Sequence, residues 1–247
     1  MRPNNRAFGS LLFLTAPLSC RAKVTKLFRS SLLLLLALFP FPALAQDSAL
    51  PAVTFTFDFP SSDPEHFSLS VRSDGQSVYD SNGKLTPQSE DGDPFHFEFT
   101  ISQASRDHIF DLAKRAHYFE GEVDSEPPNI AFMGKKTLSF KDAQKNTLAT
   151  YNYTTISEVQ QLTAFCQHLS ETLEFGRRLK FYRRYQKLAL DDELKRMEEM
   201  VQDNELSELP AIAPILQAIA QDPSILNMAR ARALRVLDKA GIHNASR

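Results

Sequence analysis

The chain has 247 residues, with 28 Lys+Arg against 30 Asp+Glu, a formal charge of -2, 43% hydrophobic and 23% charged residues. This balance excludes wholesale disorder, collagen and coiled-coil rods, and the length suffices for a real core in one or two domains. With only 2 Cys the chain is neither a disulfide scaffold nor a cysteine-rich zinc protein.

Residues 1–45 carry Arg2, Arg6, Arg21, Lys23, Lys26 and Arg29 and no acidic residue. They continue into the apolar run Leu32–Phe39, then Pro40, Pro42 and Ala43-Leu44-Ala45 before Gln46. A basic stretch, a short apolar stretch and an Ala-x-Ala site predict a secretory signal peptide cleaved between Ala45 and Gln46. The apolar run falls short of the roughly 20 residues of a spanning helix, so no transmembrane span is expected after cleavage. An earlier apolar stretch ends at Cys20, but Pro17-Leu18-Ser19-Cys20 departs from the Leu-Ala-Gly-Cys pattern of lipidated sites. Val24 to Ala45 alone makes a complete signal, leaving Met1 and a site near Val24 as candidate starts. The expected location is periplasmic or extracellular. Cleavage removes six of the 28 basic residues and none of the 30 acidic ones, leaving a charge of about -8. That opposes nucleic-acid binding. The remaining Cys166 sits among Leu162, Phe165 and Leu169 at helical spacing, which predicts a buried, inert thiol.

Strands follow. Phe55, Phe57 and Phe59 alternate with polar residues, as do Phe67, Leu69 and Val71, and Phe95, Phe97, Phe99 and Ile101. Asp74-Gly75 and Asn82-Gly83 are turn dipeptides, with a short strand Ser77–Tyr79 between them. Ser102 is a helix N-cap, and Ile109, Leu112, Ala113, Ala116 and Phe119 form the apolar stripe of that helix, ended at Gly121. The loop 124–129 leads to two strands, Lys136–Lys141 and Thr147–Tyr153. The order predicts an α+β domain over 46–155, an antiparallel sheet with one helix on a face.

From Ile156 the pattern is all helical, a predicted helical extension over 156–247. Ile156, Val159, Leu162, Phe165, Leu169 and Leu173 make one stripe, with Gly176 as an expected break. A second run covers Arg177–Asn204, with i,i+4 pairs Glu174/Arg178, Lys187/Asp191 and Asp192/Arg196. Two shorter helices follow, 211–220 and 224–240, and the tail His243–Arg247 is expected to fray.

Residues 53–175 resemble a group of exported bacterial α+β domains of unknown function. The likeness rests on Ser73-Asp74-Gly75, Tyr79–Lys84, Ile101-Ser102 opening a helix, and Ala116–Phe119 closing it. It implies a fold and no activity. Asp222-Pro223, Arg230–Leu234, Leu237 and Gly241 resemble half of a HEAT-type helical repeat, read here as a hairpin on the long helix.

Chemistry-bearing motifs are sparse. His66, His96, His108, His117, His168 and His243 are scattered, and the His96-x-Glu98 pattern of zinc deaminases lacks its cysteine pair. Asp80, Asn82, Glu90, Asp91 and Asp93 crowd two loops without the spacing of a calcium hand. Ser81-Asn82-Gly83-Lys84 matches Ser-x-x-Lys by letter but reads as a hairpin turn. No cofactor or metal is expected. The one dense feature is the run Arg177, Arg178, Lys180, Phe181, Arg183, Arg184, Tyr185 and Lys187, the candidate interaction surface. The expected function is a non-catalytic binding or scaffolding module of the cell envelope, its partner an envelope protein or acidic ligand. Two alternatives stand beside it: a secreted hydrolase with dispersed His, Asp and Glu, and a nucleic-acid binder through Arg177–Lys187.

Overall fold

The computed structural model describes residues 50–60, 62–125 and 129–242. The segment expected to be a signal peptide, with its expected cleavage site, Cys20 and Val24, and the tail His243–Arg247, lie outside the described residues. Six strands, β1 (Ala52–Asp58), β2 (His66–Arg72), β3 (Gln76–Ser81), β4 (Phe95–Thr100), β5 (Lys135–Lys141) and β6 (Asn146–Tyr151), form one antiparallel sheet in the order β4-β3-β2-β1-β5-β6. The first four make a meander. The chain then crosses back through α1 (Gln103–Arg115) to add β5 on the far side of β1.

The period-two pattern does what it predicts. Val53, Phe55, Phe57, Phe67, Leu69, Val71, Tyr79, Leu138, Phe140, Ala149 and Tyr151 point to one face and are buried. Each such large side chain contributes about 1.5–3 kcal/mol by leaving water. The other face carries Thr54, Thr56, Ser68, Ser70, Thr137, Ser139 and Thr150, with Thr54 bonded to Ser70 and Thr137 to Thr150. Ser102 caps α1, accepting from the Ser105 N–H. The helix ends at Ala116, before His117, Tyr118 and Phe119, all at positive φ.

The long helix α2 (Ser157–Tyr185) differs from the sequence expectation. It runs unbroken through Gly176 for 29 residues and stops at Gln186. Gly176 marks a close crossing: a Cβ there would stand 2.4 Å from Ile212 Cγ2. Around its middle α2 is buried on every side, from Thr172 to Leu179. Such a helix is central to the fold. It lies between the sheet, touched through Tyr79 and Tyr151, and a small bundle of α3 (Leu190–Gln202), α4 (Ala213–Gln221) and α5 (Asn227–Lys239). One continuous apolar core therefore links sheet and bundle, and the described residues form one compact unit.

The expected i,i+4 ion pairs are replaced by others, most of them between elements. Arg178 engages Glu193 of α3 as well as Glu171 of its own helix, Lys187 engages Asp222, Arg196 engages Glu171 of α2 as well as Glu193 of its own helix, and Asp191 receives Arg232. A helix packed on several sides brings other elements' carboxylates nearer than its own next turn.

Candidate functional site: the edge of the sheet beside the long helix

β4 is an edge strand, and α2 covers it only in part. Phe95, Phe97 and Phe99 face the helices but stay half-buried. Their rings stack along the strand at 5.9 and 5.5 Å between centroids, nearly parallel. Two cations of α2 lie on this ladder: the Arg177 guanidinium 5.0 Å from the Phe95 ring and the Lys180 ammonium 4.8 Å from the Phe97 ring. Cations prefer the electron-rich ring face.

Beside the ladder a crevice of about 140 Å³ opens to solvent. Its walls are Phe95 and Phe97, then Leu173 and Gly176 of α2, then Ile212, Pro214 and Ile215, with Lys180 at the rim. A space of this size accepts one aromatic ring or branched aliphatic group. The missing side chain of Gly176 lets Ile212 approach α2 closely as the facing wall.

Beneath the ladder lies a buried polar cluster. Glu174 is fully buried and accepts at Oε1 from Tyr79 (3.0 Å) and Ser81 (2.5 Å). Its Oε2 has no hydrogen-bond partner, and Arg177 Nη1 stands 3.5 Å away. Burial, and then the Glu174 charge, push the Tyr79 hydroxyl well above its ordinary pKa, so it stays protonated as a donor. Arg177 spends its other donors on the carbonyls of Gly83 and Asp93.

The eight residues singled out in the sequence thus part company. Arg177 and Arg178 are both only 7% exposed. Burial alone would lower the Arg178 pKa, but Glu193 and Glu171 outweigh it and hold it charged. Arg183 and Lys187 turn to Asp222 and brace the α4–α5 loop. Phe181 is half-buried against Tyr182 and Tyr185. Lys180, Arg184 and Tyr185 remain on the surface, with Arg184 over the Tyr185 ring. Among the described residues neither Lys180 nor Arg184 forms an ion pair.

The other candidates are placed as follows. His66 and His96 each meet an aspartate through Nδ1 at 2.6 Å, Asp58 and Asp80 respectively. They line a shallow depression of about 320 Å³ on the opposite face of the sheet. Ser81 borders that depression but turns its hydroxyl inward to Glu174. Asn82 accepts from the His66 N–H. Among the described residues no three His, Cys, Asp or Glu side chains converge to hold a metal ion. Cys166 is buried, and burial pushes its thiol pKa up.

The sequence reading missed Phe95, Phe97, Glu174 and the Ile212–Ile215 wall as parts of one site. A signal for the α2 contribution existed: the stripe through Leu169 and Leu173 continues in register to Gly176, Arg177 and Lys180. No family model and no curated protein matches this chain.

Proposed function

We propose that the chain is a non-catalytic binding module of the cell envelope, exported by its N-terminal signal, that takes an acidic partner segment at the crevice beside β4. The observation carrying this reading is the unpaired Lys180 seated on the half-exposed Phe95–Phe97–Phe99 ladder at the rim of an apolar crevice. Arg184 stands one helical turn further along the same face. Together they suit a segment that lays one bulky apolar side chain into the crevice and aligns carboxylates with α2. Binding rather than hydrolysis is supported by where the reactive groups are spent. Glu174 is enclosed in the core, and the two histidines sit on the hydroxyl-lined solvent face with their own aspartates.

The test uses a fluorescent peptide of alternating Glu and Ser around one central Phe, with the Phe→Ala and all-Gln forms as controls. The peptide should bind, and both controls should bind at least about tenfold more weakly, as should the Lys180→Glu/Arg184→Glu protein. Equal binding by all three peptides, or none, overturns the reading. The envelope assignment is tested by intact mass after cell fractionation. A mass beginning at Gln46 in the exported fraction supports it, and a full-length cytosolic species overturns it.

A further inference from the structure

The two edges of the sheet are treated differently. Along β6, segment 118–125 covers the edge: Thr147 Oγ1 donates to the Tyr118 carbonyl, Ser125 N–H to the Tyr153 carbonyl, and Asn152 N–H to Asp124. Among the described residues β4 has no such cover. Its ladder to β3 is bounded by Asp93 N–H to the Gly83 carbonyl and Ile101 N–H to the Gly75 carbonyl. Ladder bonds alternate, so the odd-numbered residues of β4 point their backbone to β3. The N–H and C=O groups of His96, Glu98 and Thr100 therefore point outward. Among the described residues no backbone bond outside the ladder uses them. An uncovered edge of this kind is a template for another strand.

We propose that this edge pairs with β4 of a second copy of the chain, antiparallel about a two-fold axis at Phe97, joining two six-stranded sheets into one. Outward groups must meet outward groups, so even-numbered residues face even-numbered ones. Three registers near the strand centre satisfy this. One sets His96 against His96 and places Pro94, which has no N–H, opposite Glu98. Another sets Glu98 against Glu98. The register centred on Phe97 sets His96 of each copy opposite Glu98 of the other, places Phe97 on Phe97, brings Phe95 opposite Phe99 and leaves Pro94 opposite Thr100 at the strand end; of the three it alone pairs opposite charges. The segment Phe95-His96-Phe97-Glu98-Phe99 is thus complementary to itself, as a two-fold interface requires. His96 and Glu98 are 59% and 74% exposed, ready to meet a partner. Asp80 already holds His96 Nδ1, leaving Nε2, 3.4 Å from its own Glu98, for the carboxylate of the second copy. This contact shares Phe95 and Phe97 with the crevice wall, but it is made by the strand's outward backbone and its test reads assembly alone, so its failure is distinguishable from failure of the acidic-ligand reading.

The test is sedimentation velocity of the protein as recovered from cells, across roughly 1–100 µM. Wild type should show a monomer–dimer equilibrium. Glu98→Pro removes an outward N–H, which an edge strand tolerates, together with the carboxylate that meets His96, and should leave a monomer. His96→Glu creates two like-charge pairs and Glu98→His removes both opposite-charge pairs, and each should weaken the dimer about tenfold. The double variant His96→Glu/Glu98→His, made together with Asp80→Asn so that the new carboxylate does not face Asp80, restores opposite charges across the interface and should recover it. Circular dichroism checks that each variant keeps its sheet, and the charge variants serve if Glu98→Pro does not fold. A monomeric wild type overturns the proposal. So does a dimer that survives Glu98→Pro, one indifferent to the single charge variants, or a swap that fails to restore it.

Discussion

Arg177 and Glu174 stand one helical turn apart on α2, with Nη1 3.5 Å from Oε2, and both are withdrawn from solvent. The pair fastens the loop after β3, because Arg177 also binds the carbonyls of Gly83 and Asp93 at its two ends. Removing one partner of a buried pair strands the other charge. Arg177→Met should therefore lose about 3–5 kcal/mol. At roughly 2–4 °C per kcal/mol, the melting temperature should fall by about 10 °C. Adding Glu174→Gln to that variant should recover part of the loss, since the stranded charge is gone. A double variant no more stable than the single would show that the pair's electrostatics do not matter.

Gly83 gives a second probe of the same cluster. A Cβ there would lie 2.7 Å from Glu174 Oε2 and 3.0 Å from its Cδ. Gly83→Ala should destabilise by about 1–3 kcal/mol through overpacking. In the Glu174→Ala background, where the obstructing carboxylate is absent, the same change should have little effect. Chemical denaturation of the four proteins forms the cycle.

How far the sequence alone reaches can be read from particular residues. Phe55, Phe67 and Tyr79 were legible as core because strand periodicity depends only on local sequence and one buried face. Ser102 was legible as a cap for the same local reason. The break expected at Gly176 was not, because glycine signals a breaker and a close crossing with the same letter, and Ile212 is 36 positions away. Arg177 and Arg178 read as solvated because charge is usually exposed. Their partners Gly83, Asp93 and Glu193 come from other elements. The edge position of β4 depends on strand order, which pairing across the whole chain decides.

Gly176→Ala should show that crossing directly. Alanine gains up to about 1 kcal/mol of helix propensity over glycine, but its Cβ would stand 2.4 Å from Ile212 Cγ2. The clash should outweigh the gain, for a net loss of about 1–2 kcal/mol. Gly176→Ala/Ile212→Ala removes the obstructing branch and should be less destabilised than the sum of the two single changes. Additive losses would place the crossing elsewhere.

Among the groups that make stability depend on pH, Glu198 and His96 act in opposite directions. Glu198 receives Arg235 and Arg232 of α5, and hydrogen bonding to Arg235, above all, holds its carboxyl below the ordinary value of 4.5. A depressed folded pKa gives stability that is present above 4.5 and lost as pH falls through the folded value. Glu198→Gln should therefore make the acid limb of a melting-temperature profile shallower below pH 5, with Asp142, Glu158 and Asp222 accounting for part of what remains. His96 works in the other direction: hydrogen bonds to Asp80 and then Glu98 raise its pKa above 6.5. Its contribution is present below 6.5 and lost as pH rises through the raised value. His96→Gln should remove a small decline across neutral pH and leave the acid limb intact.

The start of α1 is held from the far end of the chain. Glu208, at φ 56° just after α3, accepts at Oε1 from the Ser102 N–H (2.7 Å) and at Oε2 from its hydroxyl (2.8 Å). That hydroxyl in turn accepts from the Ser105 N–H (3.3 Å). Ser102→Ala loses the cap and one bond to the carboxylate, together about 1–2 kcal/mol. Glu208→Ala strands the Ser102 N–H and should cost about as much. Because the two changes remove a shared interaction, their double-mutant cycle should give a coupling of about 1 kcal/mol. Glu208→Gly separates the backbone from the side chain: glycine relieves the positive φ, so any loss it shows belongs to the carboxylate. If Glu208→Gly is as stable as wild type, the carboxylate does not fasten α1, and the N-cap of Ser102 suffices by itself.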